Sequence, residues 1–178
     1  MDFTVDVATI EDADAISTLV NSAYRGESSR LGWTTEADFL DGQRTDPDSI
    51  HALLRDPRQT ILLLRDHSKA AILGCVNLER TSNQSCYLGM LTILPTLQAK
   101  GAGRQLLTAG EKFARQNWQA CQVTLGVIHV RESLIAWYER RGYKKSGKTK
   151  PFPYGNERYG LPKRNDLYFV FLDKNIIE

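Results

Sequence analysis

Leu91-Thr92-Ile93-Leu94-Pro95-Thr96-Leu97-Gln98-Ala99-Lys100-Gly101-Ala102-Gly103-Arg104-Gln105-Leu106-Leu107 is the stretch on which the reading of this chain turns. An apolar run ends at Pro95, a glycine-bearing turn follows, and a helical apolar pattern begins at Leu106. Proline has no N–H to give a ladder, so it closes the strand. Gly101 and Gly103 carry no Cβ, so the backbone can bend sharply there and a ligand can come close. The helix that follows opens with N–H groups that have no internal partner and carry partial positive charge. Lys100 and Arg104 flank that point. Strand, glycine turn, basic residues and helix start together read as a pocket for a phosphorylated ligand.

Two phosphate loops can be set aside. A P-loop ends in Gly-Lys-Ser/Thr, whereas Gly103 is followed by Arg104 and Gln105. The dinucleotide fingerprint needs a third glycine where this chain has Leu106, and it belongs early in a βαβ unit. The pattern Gln98-x-x-Gly101-x-Gly103 after an apolar strand and Pro95 instead resembles the acyl-CoA pyrophosphate loop of the GNAT superfamily of N-acetyltransferases.

A second motif stands downstream. A strand-like run, residues 123–128, precedes a helical stretch, residues 132–141, that closes on Gly142-Tyr143. Gly142 falls where a helix C-cap favours a left-handed residue, and Arg140 and Arg141 suit the negative end of the helix dipole. Tyr138 through Gly142-Tyr143 resembles the superfamily's Tyr-x-x-x-Gly-Phe/Tyr hallmark. The resemblance runs from about residue 61 to the end, with a compatible but less distinctive N-terminal part.

Length and composition agree with that reading. At 178 residues the chain suits one domain spanning 1–178 and one core. No apolar run approaches membrane-spanning length, and the N-terminus lacks a basic region followed by an apolar one. Cys75, Cys86 and Cys121 are widely spaced in apolar segments and read as reduced core thiols of a cytoplasmic protein. His51, His67 and His129 have no ligand-like spacing to them, so no metal is expected.

Charge is nearly balanced overall at +2 but unevenly placed. Residues 1–50 hold eleven acids against three bases, and residues 140–164 hold nine bases against one acid. The plain reading is a solvated surface. A functional reading gives the basic end to CoA phosphates and the acidic end to a cationic amine. The basic stretch carries no nucleic-acid recognition fold.

The element order is α/β, of the α+β kind. Residues 3–7 read as a strand, and Thr9 with Asp12 as a capping box before a helix with Ile16, Leu19, Val20 and Ala23 on one face. Thr34 or Thr35 caps a short helix over residues 36–40, and Asp46-Pro47 starts another with Ile50, Leu53 and Leu54 inward. Strands follow near residues 59–65, 71–79 and 86–93, joined by turns at residues 66–69 and 81–84. The glycine turn leads into a helix with Leu106, Leu107, Gly110, Phe113 and Ala114 on one face, and a last strand spans residues 166–172. This order matches the superfamily's mixed, mostly antiparallel sheet with helices on both faces.

The resemblance implies acetyl-CoA as donor, with no metal, and direct transfer to an amine in a ternary complex. Backbone groups of Leu91, Thr92 and Ile93 would pair with the pantetheine arm like an added strand. The N–H groups of Gln98, Ala99, Lys100, Gly101, Ala102, Gly103 and Arg104 would take the pyrophosphate. Tyr138 stands where the superfamily often places the acid that protonates the CoA thiolate, and a phenol suits an alkyl thiol leaving group. Arg131 occupies the position, seven residues earlier, where many relatives carry an asparagine that contacts CoA. Tyr87 stands where several relatives place a glutamate base, which leaves Glu79 or Glu36 for that role.

The acceptor site is expected between the early helices and the aromatic loop of residues 152–160, with Tyr24, Trp33, Glu36, Tyr87 and Tyr154 as candidates. A small-molecule amine and a peptide amine both stay open as acceptors, and so does a homodimer. The rival functional reading is a non-catalytic acyl-CoA-binding module, suggested by the missing strand glutamate and by Arg131. A further rival is a basic-tail interaction protein.

Overall fold

Ile61, Leu62, Leu63 and Leu64 are all buried, and alternate members of the run serve opposite faces of one sheet. Ile61 and Leu63 pack under Ile16, Val20 and Ile50, whereas Leu62 and Leu64 pack under Leu106 and Leu107. A computed structural model describes residues 3–68 and 70–177. Its elements are β1 (Thr4–Val7), α1 (Ala13–Tyr24), α2 (Gly26–Ser29), β2 (Leu40–Asp41), α3 (Pro47–Arg55), β3 (Gln59–Arg65), β4 (Ile72–Arg80) and β5 (Ser85–Ile93). They continue as α4 (Ala102–Trp118), β6 (Gln122–Ile128), α5 (Glu132–Glu139), β7 (Lys144–Pro151), β8 (Leu161–Pro162) and β9 (Tyr168–Asn175).

Seven strands form a sheet in the order β1-β3-β4-β5-β6-β9-β7, antiparallel throughout except for β5 beside β6. The α4 crossover makes that parallel pair. α1 and α3 cover one face and α4 the other, as the sequence pattern requires. β2 and β8 form a separate two-stranded pair.

Local chemistry sets the helix starts. The Thr9 N–H donates to Asp12 Oδ2 at 2.8 Å in the expected capping box. The Asp46 side chain accepts from the Ser49 N–H at 2.7 Å while Pro47 takes the first helical position of α3. Gly142, at φ 92°, closes α5. The Tyr143 N–H then reaches the Tyr138 carbonyl at 3.3 Å, and the buried Tyr143 hydroxyl donates to Glu111 at 2.8 Å.

Several expectations are corrected. Residues 36–40 make one turn and no helix: Thr35 Oγ1 accepts from the Ala37 N–H, but the chain then leaves to pair Leu40 with Pro162. The basic residues 144–151 form the edge strand β7, whose mostly exposed side chains hide any inside–outside alternation. Lysines on such an edge discourage pairing with another chain. The last strand runs later than expected. Cys75 and Cys86 are buried core thiols, pushed up to about 12 by burial, but Cys121 is only half-buried. Lys69, in the expected turn after β3, lies outside the described residues.

Two irregularities at the sheet centre make room for a site. β5 and β6 pair only through Ser85–Gln122, Cys86–Val123 and Tyr87–Thr124, and then part. Between β4 and β5, Cys75 faces Thr92 and Asn77 faces Gly89, so Met90 and Leu91 together oppose Val76. This bulge places Met90 at φ 55°, an uncommon conformation for a residue with a side chain, and re-aims Leu91.

Candidate active site

Two cavities lie where the strands part. One, of about 380 Å³, is bounded by Leu91, Thr92 and Ile93, the glycine turn, and α5. The other, of about 550 Å³, is bounded by Tyr87 through Leu91, by Leu125 through Ile128, and by charged and aromatic side chains from distant segments. Tyr24, Leu91, Arg131, Leu134 and Tyr138 wall both.

The first cavity is a main-chain construction. Among the described residues nothing accepts from the backbone N–H groups of Ala99 through Arg104; the first bond of the turn is Gln105 N–H to the Gly101 carbonyl. Gly101 serves as N-cap at φ 86°, and Ala99 is also left-handed at φ 63°. A Cβ on Gly103 would point between Trp137 and Ile93, at 3.5 and 3.7 Å, so its absence opens the cavity to the backbone. Six free N–H groups at the start of a 17-residue helix, with Arg104 beside them, fit a pyrophosphate. The same cavity is bordered by Arg140 and by Arg141, whose guanidinium lies 3.7 Å from the centre of the Trp137 ring.

Three residues expected in that cradle are placed otherwise. The Gln98 N–H is spent on the Pro95 carbonyl. Its side chain braces two segments, donating to the Ile93 carbonyl at 3.2 Å and accepting from the Trp33 N–H at 3.1 Å. Gly32 has no side chain because a Cβ there would collide with that amide. Thr92 turns its hydroxyl inward to the Met90 carbonyl, so only its backbone can serve. The Lys100 side chain is exposed and does not border the cavity.

Tyr138 is 6% exposed, and no hydrogen bond to its hydroxyl is present among the described residues. Burial pushes its pKa up, with Arg131 and Arg141 working against that rise, so the phenol keeps its proton at neutral pH. The Tyr24 hydroxyl donates to the Leu91 carbonyl at 3.0 Å and fixes the bulge. The Tyr87 hydroxyl lies against Gly126, where a Cβ would come within 2.9 Å of it.

The second cavity is a side-chain construction. Glu36, 4% exposed, sits between two guanidiniums: Oε1 is 3.2 Å from Arg25 and Oε2 3.0 Å from Arg131. Arg131 also donates to the Thr34 hydroxyl at 2.8 Å. Glu36 is thus a buried carboxylate bridging two arginines: Oε2 accepts from Arg131, whereas Oε1 is paired with Arg25 by charge and accepts no hydrogen bond among the described residues. Glu79 lies opposite Tyr87 in the sheet, borders the cavity and has no ion-pair partner among the described residues. Of the other candidates, Trp33 is 41% exposed and borders the first cavity. Tyr154, 43% exposed, borders neither cavity; it braces the late loop by donating to the Arg164 carbonyl and accepting from the Leu167 N–H. Phe152 and Pro153 bring that loop to the cavity instead. Sequence reasoning missed Arg25 and Arg44, which carry no motif.

The sequence matches the family model Acetyltransferase (GNAT) family over residues 16–143. The chain belongs to the GNAT acetyltransferase family. Its fold is that of solved family members at low identity. It superposes on yncA from Salmonella typhimurium, solved with its cofactor acetyl-CoA, with a TM-score of 0.70 at 18% identity, covering 99% of this chain and 95% of that one. The ribosomal-protein-S18-alanine N-acetyltransferase from Escherichia coli gives 0.72 at 14%, covering 99% and 96%. The spermidine/spermine N-acetyltransferase SpeG from Vibrio cholerae gives 0.69 at 16%, covering 98% and 92%. No curated protein matches the sequence. No helix among the described residues is long and apolar enough to cross a membrane, and no group of their side chains could hold a metal ion.

Proposed function

We propose that this GNAT acyltransferase moves an acetyl group from acetyl-CoA to an amine by direct attack in a ternary complex. The observation that carries the reading is Tyr138 at the junction of the two cavities, buried, protonated and with its hydroxyl unpartnered among the described residues. The N–H groups of Ala99 through Arg104 hold the pyrophosphate, and Leu91 and Ile93 present backbone to the pantetheine arm. Each of those two carbonyls already accepts one bond, from Tyr24 and from Gln98, so the arm uses the second lone pair.

With both substrates held, the amine nitrogen attacks the thioester carbon and the C–S bond breaks. The Tyr138 O–H protonates the departing sulfur, the proton lost by the amine leaves through Glu79 or water in the second cavity, and the tyrosinate regains a proton from water before the next turnover. Cys75 and Cys86 are buried as neutral thiols, which disfavours a covalent acetyl-enzyme.

Thermal shift with acetyl-CoA and thiol release with an amine panel test this together. Acetyl-CoA is expected to raise the melting point, by about 2.7 kcal/mol of stabilisation at a hundredfold excess over Kd. Absence of a shift at millimolar ligand removes the donor assignment. A shift without thiol release for any amine favours the acyl-CoA-binding module instead.

A further inference from the structure

The second cavity is walled by more positive than negative side chains. Arg25, Arg44, Arg131 and Lys150 border it against Glu36 and Glu79. The charge of Glu36 is paired with Arg25 and Arg131. Arg44 is different: its half-buried guanidinium has no hydrogen bond or ion pair among the described residues and lies 5.4 Å from the Tyr24 ring centre. Its place is built deliberately. Asn21 on α1 accepts from the N–H groups of Arg44 and Thr45 at 2.8 and 3.0 Å and donates to the Thr45 carbonyl at 3.0 Å. The backbone that carries Arg44 is thus clamped while its charged end faces the cavity. A guanidinium carried on a fixed backbone, with its donors unspent, suits an oxyanion, which it can bind through two parallel bonds.

We infer that the acceptor is an amino-acid-like zwitterion, whose carboxylate pairs with Arg44 while its amine reaches the junction at Tyr138. The inference rests on the acetyl-transfer reading above and names the substrate class of the same site. Tyr24 sets the spacing, because its ring lies under Arg44 and also borders both cavities. The proposed acceptor accordingly carries its acid and its amine on either side of that one ring. The remaining wall, including Tyr87, Phe152, Phe169 and Phe171, suits an apolar side chain. A polyamine would place its extra cations against Arg44 and Lys150, and a peptide N-terminus would bring a neutral amide to Arg44.

Thiol release from acetyl-CoA is measured with L-phenylalanine, L-phenylalaninamide, phenethylamine and spermidine, and with methionine and its decarboxylated amine as a second pair. The amino acid is expected to exceed its amide and its decarboxylated amine in kcat/KM by about ten- to a hundredfold, the range of a hydrogen bond to a charged group. Arg44→Gln should raise KM for the amino acid and collapse that ratio, and Arg44→Lys should restore part of it, with acetyl-CoA-induced stabilisation reporting that the variants fold. Equal or better use of the neutral-ended amines overturns the inference, as does an Arg44→Gln loss that falls equally on all acceptors. Absence of turnover for the whole panel while acetyl-CoA still stabilises the protein also overturns it and leaves donor binding standing. If acetyl-CoA fails to stabilise the protein, the acetyl-transfer reading itself has failed.

Discussion

The two cavities that meet at Tyr138 are made from different material. The proposed donor groove is main chain: N–H groups unpaired among the described residues, a bulged strand and glycines whose missing Cβ keeps the space open. The proposed acceptor cavity is side chain: a carboxylate between two guanidiniums, a third guanidinium on a clamped loop, and aromatic rings. A main-chain site tolerates replacement of its side chains and fails when one is added. A charged side-chain site fails when one is removed.

The harshest test of the contrast is Glu36→Gln, which leaves Arg25 and Arg131 facing each other while hardly changing shape. Removing one partner of a buried ion pair typically costs about 3–5 kcal/mol. A melting-point fall of that size, with acetyl-CoA still binding the surviving native fraction, marks the cavity as dependent on its charges. A change no larger than a surface substitution gives would break the comparison on the acceptor side.

On the donor side the matching test is Gly103→Val against Lys100→Ala. The valine methyls enter the space between Trp137 and Ile93, so the acetyl-CoA-induced stabilisation of about 2.7 kcal/mol at a hundredfold excess should vanish. Without ligand the melting point should hardly move. Lys100→Ala, which removes an exposed side chain, should keep most of the stabilisation. If the lysine variant loses binding and the valine variant keeps it, the groove is not built from backbone.

Tyr138→Phe probes the junction. It should lower kcat by about a hundredfold, the lower end for a general acid, while KM for acetyl-CoA stays within a factor of about two. The pH profile adds a sign. Burial raises the Tyr138 pKa, so its proton is retained on the alkaline side and lost only above the ordinary phenol range. The native enzyme should therefore show no alkaline fall in kcat from this group up to about pH 10; an unchanged kcat in the phenylalanine variant would refute the general-acid role, and an earlier fall abolished in that variant would keep the role but contradict the raised pKa.

The same contrast explains what could be read in the sequence. The glycine turn and the helix end at Gly142 were legible because backbone demands leave glycines at fixed spacing, and Gly101, Gly103 and Gly142 sit in two contiguous motifs. The helix starts at Thr9 and Asp46 were legible for the same local reason. The acceptor cavity gathers residues 25, 36, 44, 79, 131 and 152, and no local pattern links them. Asn21 holding Arg44 is an ordinary helix residue until the fold brings the loop to it. Edge strand β7 escaped because exposure on both sides removes the alternation that identifies a strand. Tyr154 misled because an aromatic in a glycine- and proline-rich loop looks like a pocket wall, whereas its hydroxyl holds the loop together.

The smallest effect falls on the frame of the acceptor cavity. Asp46 caps α3 and also takes two bonds from Arg158, at 3.1 and 3.2 Å, so it ties the loop carrying Arg44 to the late loop. The Arg158 bonds and the Ser49 N–H hold its carboxyl down to about 2, below the ordinary carboxylate range. A depressed acid contributes stability that is complete above its unfolded pKa, near 4, and is lost as pH falls through 2. Asp46→Asn keeps a cap but removes the charge, so at pH 7 it should cost about 0.2–1 kcal/mol, as for a partly exposed pair. Asp46→Ala loses the cap as well and should cost about 1 kcal/mol more. The gap between the native protein and Asp46→Asn should then narrow from pH 4 to pH 2, because the protonated native residue has become an Asn-like neutral cap. A gap that persists unchanged at pH 2 would mean that Asp46 acts through shape and not charge. The acceptor cavity would then depend on ions only at its centre, around Glu36, and not at its rim.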